Sequence, residues 1–550
     1  MGHLSIRDDE LALKTIYEDR FIARAAGGRW DKVEKIWLFP LTLAAIERLR
    51  RAFDGNLSLE DGMEEWCVRL RSEIEKAQVI KCGDETTDYM STTEPFKHQR
   101  SGTGFLLSMR RCFLWDEQGL GKTKEAIDAA AQRMRNFQIS TCLIICPASI
   151  KFQWQAQVLQ HSSFGEQTHV AHGSPKRRKE LYERIAKSGG FLIMSYDTAR
   201  LDAEDLAPIM PGQMLVLDEH QAIKNSQALR SKAILGLARA ASYVVAMTGT
   251  PIWNNPADLW FPSQIVAAGA LPTSFFAFQQ RYCIMGGFQG KKIIGFRHLD
   301  EIRDALEPYS LRREKKDCLD LPDKIRSEIP LALSKPEQKA YDDMKEKLAV
   351  WLKNEPMISV RAALAKITKL RQITGGFIYD EEGDARWIGN TKINAVKDLL
   401  EMHSDKKVII WSCYRAPLAR MQDEFAEWNP VTITGGHSNV QREAARRRFQ
   451  EDKDCRLFLG QIQSGGVGLD LPAATAHIFY DLDWNASVMV QAEDRSHRIG
   501  QTESLSLVQL IVPDSIDTYI QKGLRRKEGW AGTVLEALSP AGLRDVIGHL

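Results

Sequence analysis

The sequence predicts an α/β protein with two parallel-sheet lobes, a helical insertion in the second lobe and a small α+β domain at the N-terminus. Three observations support this class. The chain has 550 residues, too many for one core, and is 44% hydrophobic, as folded proteins are. Short apolar runs alternate with segments of helical periodicity in two separate stretches. The stretch between them breaks that alternation.

Residues 1–85 are expected to fold as a unit of their own. The segments Gly27–Trp30 and Lys35–Pro40 indicate two strands joined by a turn, and Thr42–Phe53 has the pattern of an amphipathic helix. The tryptophans of this unit either belong to its core or lie at a recognition surface. The sequence leaves both interpretations open.

Residues 86–310 are predicted to form the first lobe. Its helices are expected at segments such as Lys124–Asn136 and Lys176–Ser188, which carry charges on one face. Strands that alternate with such helices form a parallel sheet covered on both sides. The predicted strands are Cys112–Trp115, Cys142–Cys146, Phe191–Tyr196, Met214–Leu217 and Tyr243–Met247.

Residues 311–390 are interpreted as a linker followed by a helical insertion, with helices at Lys335–Asn354 and Val360–Gln372. The alternation of strands and helices returns over residues 391–550, the second lobe. Its predicted strands are Val408–Trp411, Val431–Thr434, Leu457–Leu459, Ala476–Tyr480 and Leu505–Val512.

Composition excludes several classes of protein. No run of about 18 apolar residues occurs, which argues against a membrane span. The first residues lack the layout of a signal peptide, so export is not expected. The nine cysteines form no CxxC pair, which favours reduced thiols and argues against a structural metal. A net charge of +2 neither suggests nor excludes a nucleic acid partner.

A phosphate-binding loop is predicted where an apolar run ends and a helix begins. The segment Asp116–Thr123 reads DEQGLGKT, and Gly119 and Gly121 would let backbone N–H groups close around phosphates. Lys122 would bind the β- and γ-phosphates, and the Thr123 hydroxyl would bind Mg²⁺. Asp116 stands where this loop usually begins with glycine, and a plain glycine-rich turn is the alternative.

An acidic pair follows a second apolar strand, in the segment Leu215–Gln221. Asp218 is placed to hold Mg²⁺, and Glu219 to orient and deprotonate the attacking water. A solvated acidic loop is the alternative for this segment alone. Its occurrence downstream of a phosphate loop favours the catalytic interpretation.

With these two motifs, the chain resembles the Swi/Snf-type ATPases of helicase superfamily two, double-RecA motors that translocate on duplex DNA. The resemblance covers about residues 95–520 and implies two RecA-like lobes, DNA-dependent ATPase activity, and ATP with Mg²⁺ as cofactors. Gln99 matches the residue that reads the adenine base. The other matching segments of the first part are Pro147–Ser149 with Trp154, Met247–Asn255, Leu311–Arg313 and Leu321–Pro322.

The second lobe carries the longest match, Gln491–Gln501, which contains Arg495 and Arg498. Two guanidinium groups three residues apart on one helical face can act as arginine fingers on the γ-phosphoryl group. An exposed basic helix face is the alternative. The segment Gly465–Leu471 matches the motif that touches both DNA and nucleotide, and Asp483–Asn485 follows it. The resemblance implies nucleotide contacts at Gly468, Asp470 and Gln491.

Within that family the chain is most similar to the annealing-helicase branch, and residues 28–40 loosely resemble its HARP substrate-recognition module. The compact layout, with no long insertion between the lobes, favours a prokaryotic or viral source over a nucleosome remodeller. The expected location is therefore cytoplasmic: at the nucleoid in a prokaryote, or in the host cytoplasm for a virus. A monomer is the expected state.

A motor on DNA must grip phosphates, because movement along any sequence cannot depend on base edges. Each candidate contact is equally compatible with a solvated side chain or, for the tryptophans, with core packing. The candidates are Lys151, Trp154, Lys224, Arg415, Ser464 and Trp484.

The sequence thus predicts an ATP-driven double-stranded DNA translocase that remodels branched or forked DNA. Displacement of a bound protein such as RNA polymerase, and strand separation by a helicase, remain alternatives. A degenerate ATPase that only binds DNA is a third alternative. It is disfavoured by the intact Lys122, Asp218, Glu219, Arg495 and Arg498.

Overall fold

The computed structural model describes residues 2–7, 10–81, 88–249, 256–286, 292–354, 360–465, 469–498 and 500–525. The chain divides into two compact units, Met1–Cys318 and Leu319–Leu550, which are described separately below. The division falls inside the segment 311–390 that the sequence predicts as linker and insertion. Among the described helices, none combines the length and apolar character needed to cross a membrane.

The first unit begins with a five-stranded sheet of order β3-β4-β2-β1-β5. Its core includes Leu4, Leu13, Phe39, Ile46 and Phe53, contributed by the sheet and by the helix after it. The elements are β1 (Gly2–Arg7), β2 (Glu10–Thr15), α1 (Arg20–Ala25), β3 (Arg29–Asp31), β4 (Ile36–Pro40), α2 (Leu43–Phe53), β5 (Leu57–Leu59) and α3 (Met63–Lys81). The predicted small α+β domain is confirmed.

This N-terminal domain packs on the first lobe through hydrogen bonds to main-chain oxygens. The Thr42 hydroxyl donates to the Ala268 carbonyl, and Arg48 donates to the Gly269 carbonyl. In the opposite direction, the Thr273 hydroxyl donates to the Gly27 carbonyl at 2.6 Å. The domain is therefore part of the same compact unit as the first lobe.

The two tryptophans of the domain have different environments. Trp37, on β4, is half-buried and packs against the core, whereas Trp30, on β3, is 44% exposed. They are paired across the sheet, with ring centroids 5.2 Å apart. Trp37 thus belongs to the core, and Trp30 offers a partly open aromatic surface.

The first lobe follows the N-terminal domain. Its elements are α4 (Lys97–Ser108), β6 (Arg111–Leu114), α5 (Lys122–Arg135), β7 (Thr141–Cys146), α6 (Lys151–His161), β8 (Thr168–Val170), α7 (Pro175–Ser188), β9 (Gly190–Ser195), α8 (Tyr196–Leu201), α9 (Ala203–Leu206), β10 (Met214–Asp218), α10 (Leu229–Ala240), β11 (Tyr243–Met247), α11 (Ala257–Val266), α12 (Phe275–Tyr282), β12 (Cys283–Gly286), β13 (Lys292–Phe296), α13 (Leu299–Leu306), β14 (Ser310–Leu311) and α14 (Lys315–Cys318).

Seven parallel strands form the sheet of this lobe, in the order β14-β6-β11-β10-β7-β9-β8. The chain leaves β6 toward Asp116, leaves β11 toward Thr248, and ends β10 at Asp218. Because the carboxyl ends of parallel strands share one edge, the sheet brings these three segments together. The five strands predicted for this lobe are confirmed. Among the described residues, four strands are additional: β8 and β14 in this sheet, and β12 and β13, which form a separate antiparallel pair.

The second unit has its own elements. They are β15 (Lys324–Pro330), α15 (Lys335–Asn354), α16 (Val360–Thr374), β16 (Phe377–Tyr379), β17 (Ala385–Trp387), α17 (Thr391–Met402), β18 (Val408–Ser412), α18 (Arg415–Glu424), β19 (Val431–Ile433), α19 (Asn439–Glu451), β20 (Leu457–Gln461), α20 (Ile462–Gly465), β21 (Ala476–Phe479), α21 (Ala486–Glu493), β22 (Leu505–Ile511) and α22 (Ile516–Arg525).

Six parallel strands form its sheet, in the order β15-β22-β21-β18-β20-β19. Both faces are covered, because alternate residues of β18 enter opposite cores: Ile409 and Trp411 pack on one side, Val408 and Ile410 on the other. The predicted class of two parallel-sheet lobes, with helices α15 and α16 inserted in the second, is confirmed.

Candidate functional site

The loop between β6 and α5 has the backbone that phosphate binding requires. Gly119 and Gly121 have φ angles of 89° and 88°, which favour glycine. A Cβ at Gly121 would lie 2.2 Å from Nε2 of Gln99, so a side chain there would displace that amide from the loop. Helix α5 starts at the next residue, Lys122. Its first N–H groups and positive end therefore lie beside the loop.

Lys122 is half-buried within this loop and is held by main-chain oxygens. Its Nζ donates to the carbonyls of Asp116 at 2.8 Å and of Glu117 at 3.3 Å. Burial lowers the pKa of Lys122, and the carboxylates of Glu219, Asp116 and Asp218 oppose that shift. The lysine charge therefore lies in the field of the acidic pair.

Asp218 is the last residue of β10 and is held at both its side chain and its backbone. Trp154 donates its indole N–H to Asp218 Oδ2 at 2.8 Å, and the Tyr196 hydroxyl donates to the Asp218 carbonyl at 2.8 Å. Burial, and next the charge of Glu219, raise the pKa of Asp218 to about 7. A cation at this carboxylate would counteract both effects.

Glu219 has a left-handed backbone, with φ 51° and ψ 57°, which is rare for a residue with a side chain. Its Oε2 accepts hydrogen bonds from the Thr248 hydroxyl at 3.0 Å and from Gln221 Nε2 at 2.8 Å. These contacts orient the carboxylate. They also connect the acidic strand end to the segment after β11.

The residues present fit a magnesium–nucleoside triphosphate. Gln118 Oε1 is buried in the phosphate loop without a hydrogen-bond partner. A Cβ at Gly249 would lie 2.1 Å from Gln118 Cγ and 3.1 Å from Lys122 Nζ, so a side chain there would fill the space beside the lysine. The Thr123 hydroxyl and the Asp218 carboxylate are oxygen donors of the type that Mg²⁺ prefers.

Gln99 lies on α4 and is buried against the phosphate loop. Its Nε2 donates to the Leu120 carbonyl at 3.2 Å, and its Oε1 accepts from the Phe96 backbone N–H at 3.0 Å. His98 makes a second contact with the same carbonyl, at 2.9 Å. Recognition of adenine by Gln99 stays a prediction, and the contacts described here add a direct link to the loop.

In the second unit, the two predicted arginine fingers lie beyond a helix end. Helix α21 stops at Glu493, so Arg495 and Arg498 do not share a helical face, contrary to the sequence interpretation. The backbone explains the break, because the Leu471 N–H donates to the Arg495 carbonyl at 2.8 Å and draws the chain out of the helix.

The side chains of these arginines have defined partners. Arg495 is buried and donates to the Leu469 carbonyl at 3.3 Å. Arg498 forms an ion pair with Asp470 and donates through Nε to the Asp494 carbonyl at 2.8 Å. Burial lowers the pKa of Arg498 to about 10. Asp470 and Arg498, both predicted nucleotide contacts, are thus neighbours.

The remaining predicted site residues are dispersed. Gln491 is half-buried on α21, and Gly468 lies outside the described residues, as do Thr250–Asn255 of the coupling motif. Ser464 is on α20, within the part of that helix whose side chains are not described. The nucleotide contacts predicted for Gln491 and Gly468 and the DNA contact predicted for Ser464 stay predictions.

The predicted DNA contacts differ in accessibility. Lys224 is exposed and pairs with Asp258 at 2.9 Å, and Arg415 is exposed at the start of α18. Lys151 is half-buried at the start of α6. Trp484 is also half-buried and packs against Tyr519, with ring centroids 6.2 Å apart. These four keep some surface for a ligand.

Trp154 differs from those four because it is only 2% exposed. Its ring lies in the lobe, and its N–H is engaged by Asp218. The structure therefore favours the core-packing alternative over a direct DNA contact. Sequence reasoning missed its role as a partner of Asp218, and that of Tyr196. The only sequence signal for Tyr196 is its position directly after the buried strand β9.

Comparison with known proteins places this geometry in a family. The profile of the SNF2-related domain matches residues 60–375, and that of the helicase conserved C-terminal domain matches residues 391–500. The chain is similar to a solved Sulfolobus solfataricus SWI2/SNF2 ATPase core in complex with dsDNA, with a TM-score of 0.40 and 22% identity over 83% of this chain and 99% of that one.

Three curated relatives illustrate the similarity. An uncharacterized ATP-dependent helicase of Mycoplasma genitalium is 27% identical over 78% of this chain and 41% of its own length. The DNA annealing helicase and endonuclease ZRANB3 of Homo sapiens is 26% identical over 80% and 40%. A Caenorhabditis elegans homolog of the SWI/SNF-related matrix-associated actin-dependent regulator of chromatin subfamily A-like protein 1 is 28% identical over 80% and 61%.

The chain spans about two fifths of the length of the first two of these relatives. The SNF2-related match nevertheless covers more than half of this chain, and the helicase C-terminal match follows it directly in the second unit. On this evidence, the chain belongs to the SNF2-related family.

Proposed function

We propose that this chain is an ATP-driven translocase on double-stranded DNA that remodels branched or forked DNA. The observation that carries the hydrolytic part is the orientation of Glu219 by Thr248 and Gln221, beside the phosphate loop with its lysine. The DNA part is supported by family membership and by relatives named DNA annealing helicase.

The residues of the first lobe divide the work of binding and hydrolysis. Lys122 and the loop N–H groups bind the phosphates, and Thr123 with Asp218 holds the cation. Bound Mg²⁺ would neutralise charge on the phosphates. Glu219 takes the proton of the attacking water, for which its fixed carboxylate is suited. The resemblance of Gln491–Gln501 to the family's motif supports the proposal that Arg495 and Arg498 supply positive charge to the transition state.

Comparison of Glu219→Gln with the wild-type chain tests hydrolysis. The variant keeps the shape of the side chain and its contact with Thr248 but lacks the base, so ATP binding should persist while phosphate release stops. Lys122→Ala should weaken nucleotide binding instead. Glu204→Gln, at an exposed position on α9, is the matched control. Near wild-type turnover by Glu219→Gln with DNA present would overturn the base assignment.

The DNA substrate is tested by measuring phosphate release with single-stranded, duplex and forked DNA. A translocase on duplex should be stimulated more by duplex than by single strands, and a fork remodeller most by forks. A preference for single strands would indicate a strand-separating helicase. Release of a stalled RNA polymerase, without any fork preference, would indicate a motor that displaces proteins.

The N-terminal domain is proposed to carry the preference for forks. Aromatic rings stack on unpaired bases, which occur at forks and not in plain duplex, and Trp30 is 44% exposed. The neighbouring Arg29 is exposed as well, although it pairs with Glu10 at 2.8 Å. This surface combines an aromatic face with positive charge.

A point variant tests this better than a deletion of residues 1–85, because the described part of the N-terminal domain packs on the first lobe and its removal would uncover that surface. Trp30→Ala should lower the ratio of fork-stimulated to duplex-stimulated hydrolysis and leave the duplex rate unchanged. Phe276→Ala, which removes a 69% exposed aromatic ring elsewhere in the first unit, is the control. An unchanged ratio for Trp30→Ala would refute the recognition role.

A further inference from the structure

The chain segment that leaves the first unit runs directly beside the phosphate loop. Strand β14 pairs in parallel with β6, with Leu311 opposite Leu114. The pairing continues past the strands: the Trp115 N–H donates to the Leu311 carbonyl at 2.7 Å, and the Glu117 N–H to the Arg313 carbonyl at 3.0 Å. The first unit ends shortly afterwards, at Cys318.

Side chains strengthen this connection through a buried charge cluster. Arg313 donates through Nε to Asp116 Oδ2 at 3.0 Å and through Nη2 to Glu125 Oε1 at 2.8 Å. Both carboxylates are fully buried, and the arginine side chain is 13% exposed. A buried carboxylate is costly unless it is paired, so the arginine and the two acids stabilise one another.

The same guanidinium also contacts helix α4. It donates to the Ser101 hydroxyl at 3.1 Å and to the His98 carbonyl. Room for the cluster depends on Gly102, since a Cβ there would lie 2.3 Å from Glu125 Oε2 and 2.6 Å from Arg313 Nη2. Glycine is unfavourable in a helix interior, and the close approach of Glu125 and Arg313 explains why glycine occupies this position.

The cluster therefore joins three parts of the nucleotide site to one departing segment. Asp116 belongs to the phosphate loop, Glu125 to the first turn of α5, and Ser101 to the helix that carries Gln99. The ion pair with Arg313 gives the aspartate at the start of this loop a structural function.

We propose that Arg313 is a positioning residue that makes the phosphate loop and the segment 311–318 respond together to nucleotide. The inference rests on the proposed nucleotide site. Arg313 acts through Asp116 and Glu125. Arginine is required because its planar fork reaches several acceptors at once, whereas a lysine ammonium cannot span them.

The test compares the wild-type chain with Arg313→Lys, which keeps the charge and loses the fork. Amide hydrogen exchange is measured with and without a non-hydrolysable ATP analogue. In the wild type, nucleotide should slow exchange in both the phosphate loop and residues 311–318. The expected effect is about fivefold or more, the lower end of typical coupling between sites. In Arg313→Lys the loop should still respond and residues 311–318 should not.

Two further variants and a kinetic measurement sharpen the comparison. Arg312→Lys, at the adjacent exposed arginine, is the matched control and should behave as wild type. Asp116→Asn should also abolish the slower exchange of residues 311–318 on nucleotide binding. The double variant Asp116→Asn, Arg313→Lys should show no larger effect than either single variant, because all three remove the same ion pair. Stimulation of hydrolysis by duplex DNA should fall about fivefold or more in Arg313→Lys, with nucleotide affinity little changed.

Four outcomes would overturn the inference. The first is a wild-type response of residues 311–318 that persists in Arg313→Lys. The second is a uniform loss of nucleotide affinity, exchange protection and thermal stability in that variant, which would make the arginine merely structural. The third is a wild-type chain that binds no nucleotide, which would overturn the proposed function as well. The fourth is a wild-type chain that binds nucleotide without any change of amide exchange in residues 311–318, which would overturn this inference alone.

Discussion

Replacement of Trp154 by phenylalanine separates two interpretations of one side chain. The indole N–H donates to Asp218 Oδ2 at 2.8 Å, and the ring is 2% exposed. Phenylalanine keeps most of the apolar contact and removes the donor. The variant therefore leaves a half-buried carboxylate with one hydrogen bond fewer.

The size of the effect follows from that hydrogen bond. A hydrogen bond to a charged group contributes about 1.5–3 kcal/mol, which corresponds to roughly 10–150-fold in an equilibrium constant. Because Asp218 is the proposed Mg²⁺ ligand, this loss should appear as a higher Mg²⁺ concentration for half-maximal hydrolysis. Duplex affinity should not change, since a buried ring offers no face to DNA.

Two titrations make the measurement. Hydrolysis is followed against Mg²⁺ at saturating duplex, and duplex binding is followed against salt, where each phosphate contact contributes to the slope. Trp428→Phe changes a 6% exposed tryptophan of the second unit. It controls for the stability that any buried tryptophan loses when a smaller ring replaces it. The reasoning would be refuted if the variant bound duplex DNA more weakly and with less salt dependence, while the Mg²⁺ concentration for half-maximal hydrolysis stayed unchanged. Trp154 would then be a DNA contact.

Three more predictions concern both units. Thr248→Val removes a donor to Glu219, so kcat should fall by about 10-fold or more with KM for ATP unchanged; an unaltered kcat would contradict the orienting role. Arg498→Ala should bind ATP and DNA but lose stimulation by a factor of order 10³ in single-turnover assays, whereas undiminished stimulation would remove this arginine from the site. Burial lowers the pKa of His477 to about 3, so its neutral form stabilises the fold above the ordinary pKa of 6.5. As the pH falls from 6.5 to about 3, that stability should fall by about 1.4 kcal/mol per pH unit, because only the unfolded state binds the proton in this range. Denaturant unfolding of the wild type and of His477→Gln checks this, and parallel pH profiles would count against it.

Prediction from sequence succeeded where one residue pattern fixes both the backbone and the chemistry. The phosphate loop is an example, because glycines at positive φ, a lysine and a helix start must occur together. The buried strands of both sheets were equally readable, since each is a short apolar run. The phosphate loop and the buried strands depend on residues that are adjacent in the chain, and a sequence shows such residues side by side.

Features that depend on distant partners were harder to predict. The sequence predicts a linker where strand β15 lies, because the segment has no apolar run, and in the structure most of its residues are exposed. Its pairing with β22 over seven residues supplies the missing stabilisation. The sequence hides the role of Trp154 for a related reason, since Trp154 lies on helix α6 and Asp218 ends a strand 64 residues further along the chain. Only the folded sheet brings such partners together.

Docking of the N-terminal domain through main-chain oxygens has a consequence for how such proteins diversify. The acceptors at Ala268 and Gly269 belong to the backbone, so mutations in that loop leave them in place. One position is constrained, because a Cβ at Gly269 would lie 2.9 Å from the Cβ of Ala45. A lobe that binds its neighbouring domain through main-chain carbonyls can exchange one accessory domain for another over evolutionary time. The same main-chain docking site gives protein engineers a defined domain boundary for building chimeras with new substrate preferences.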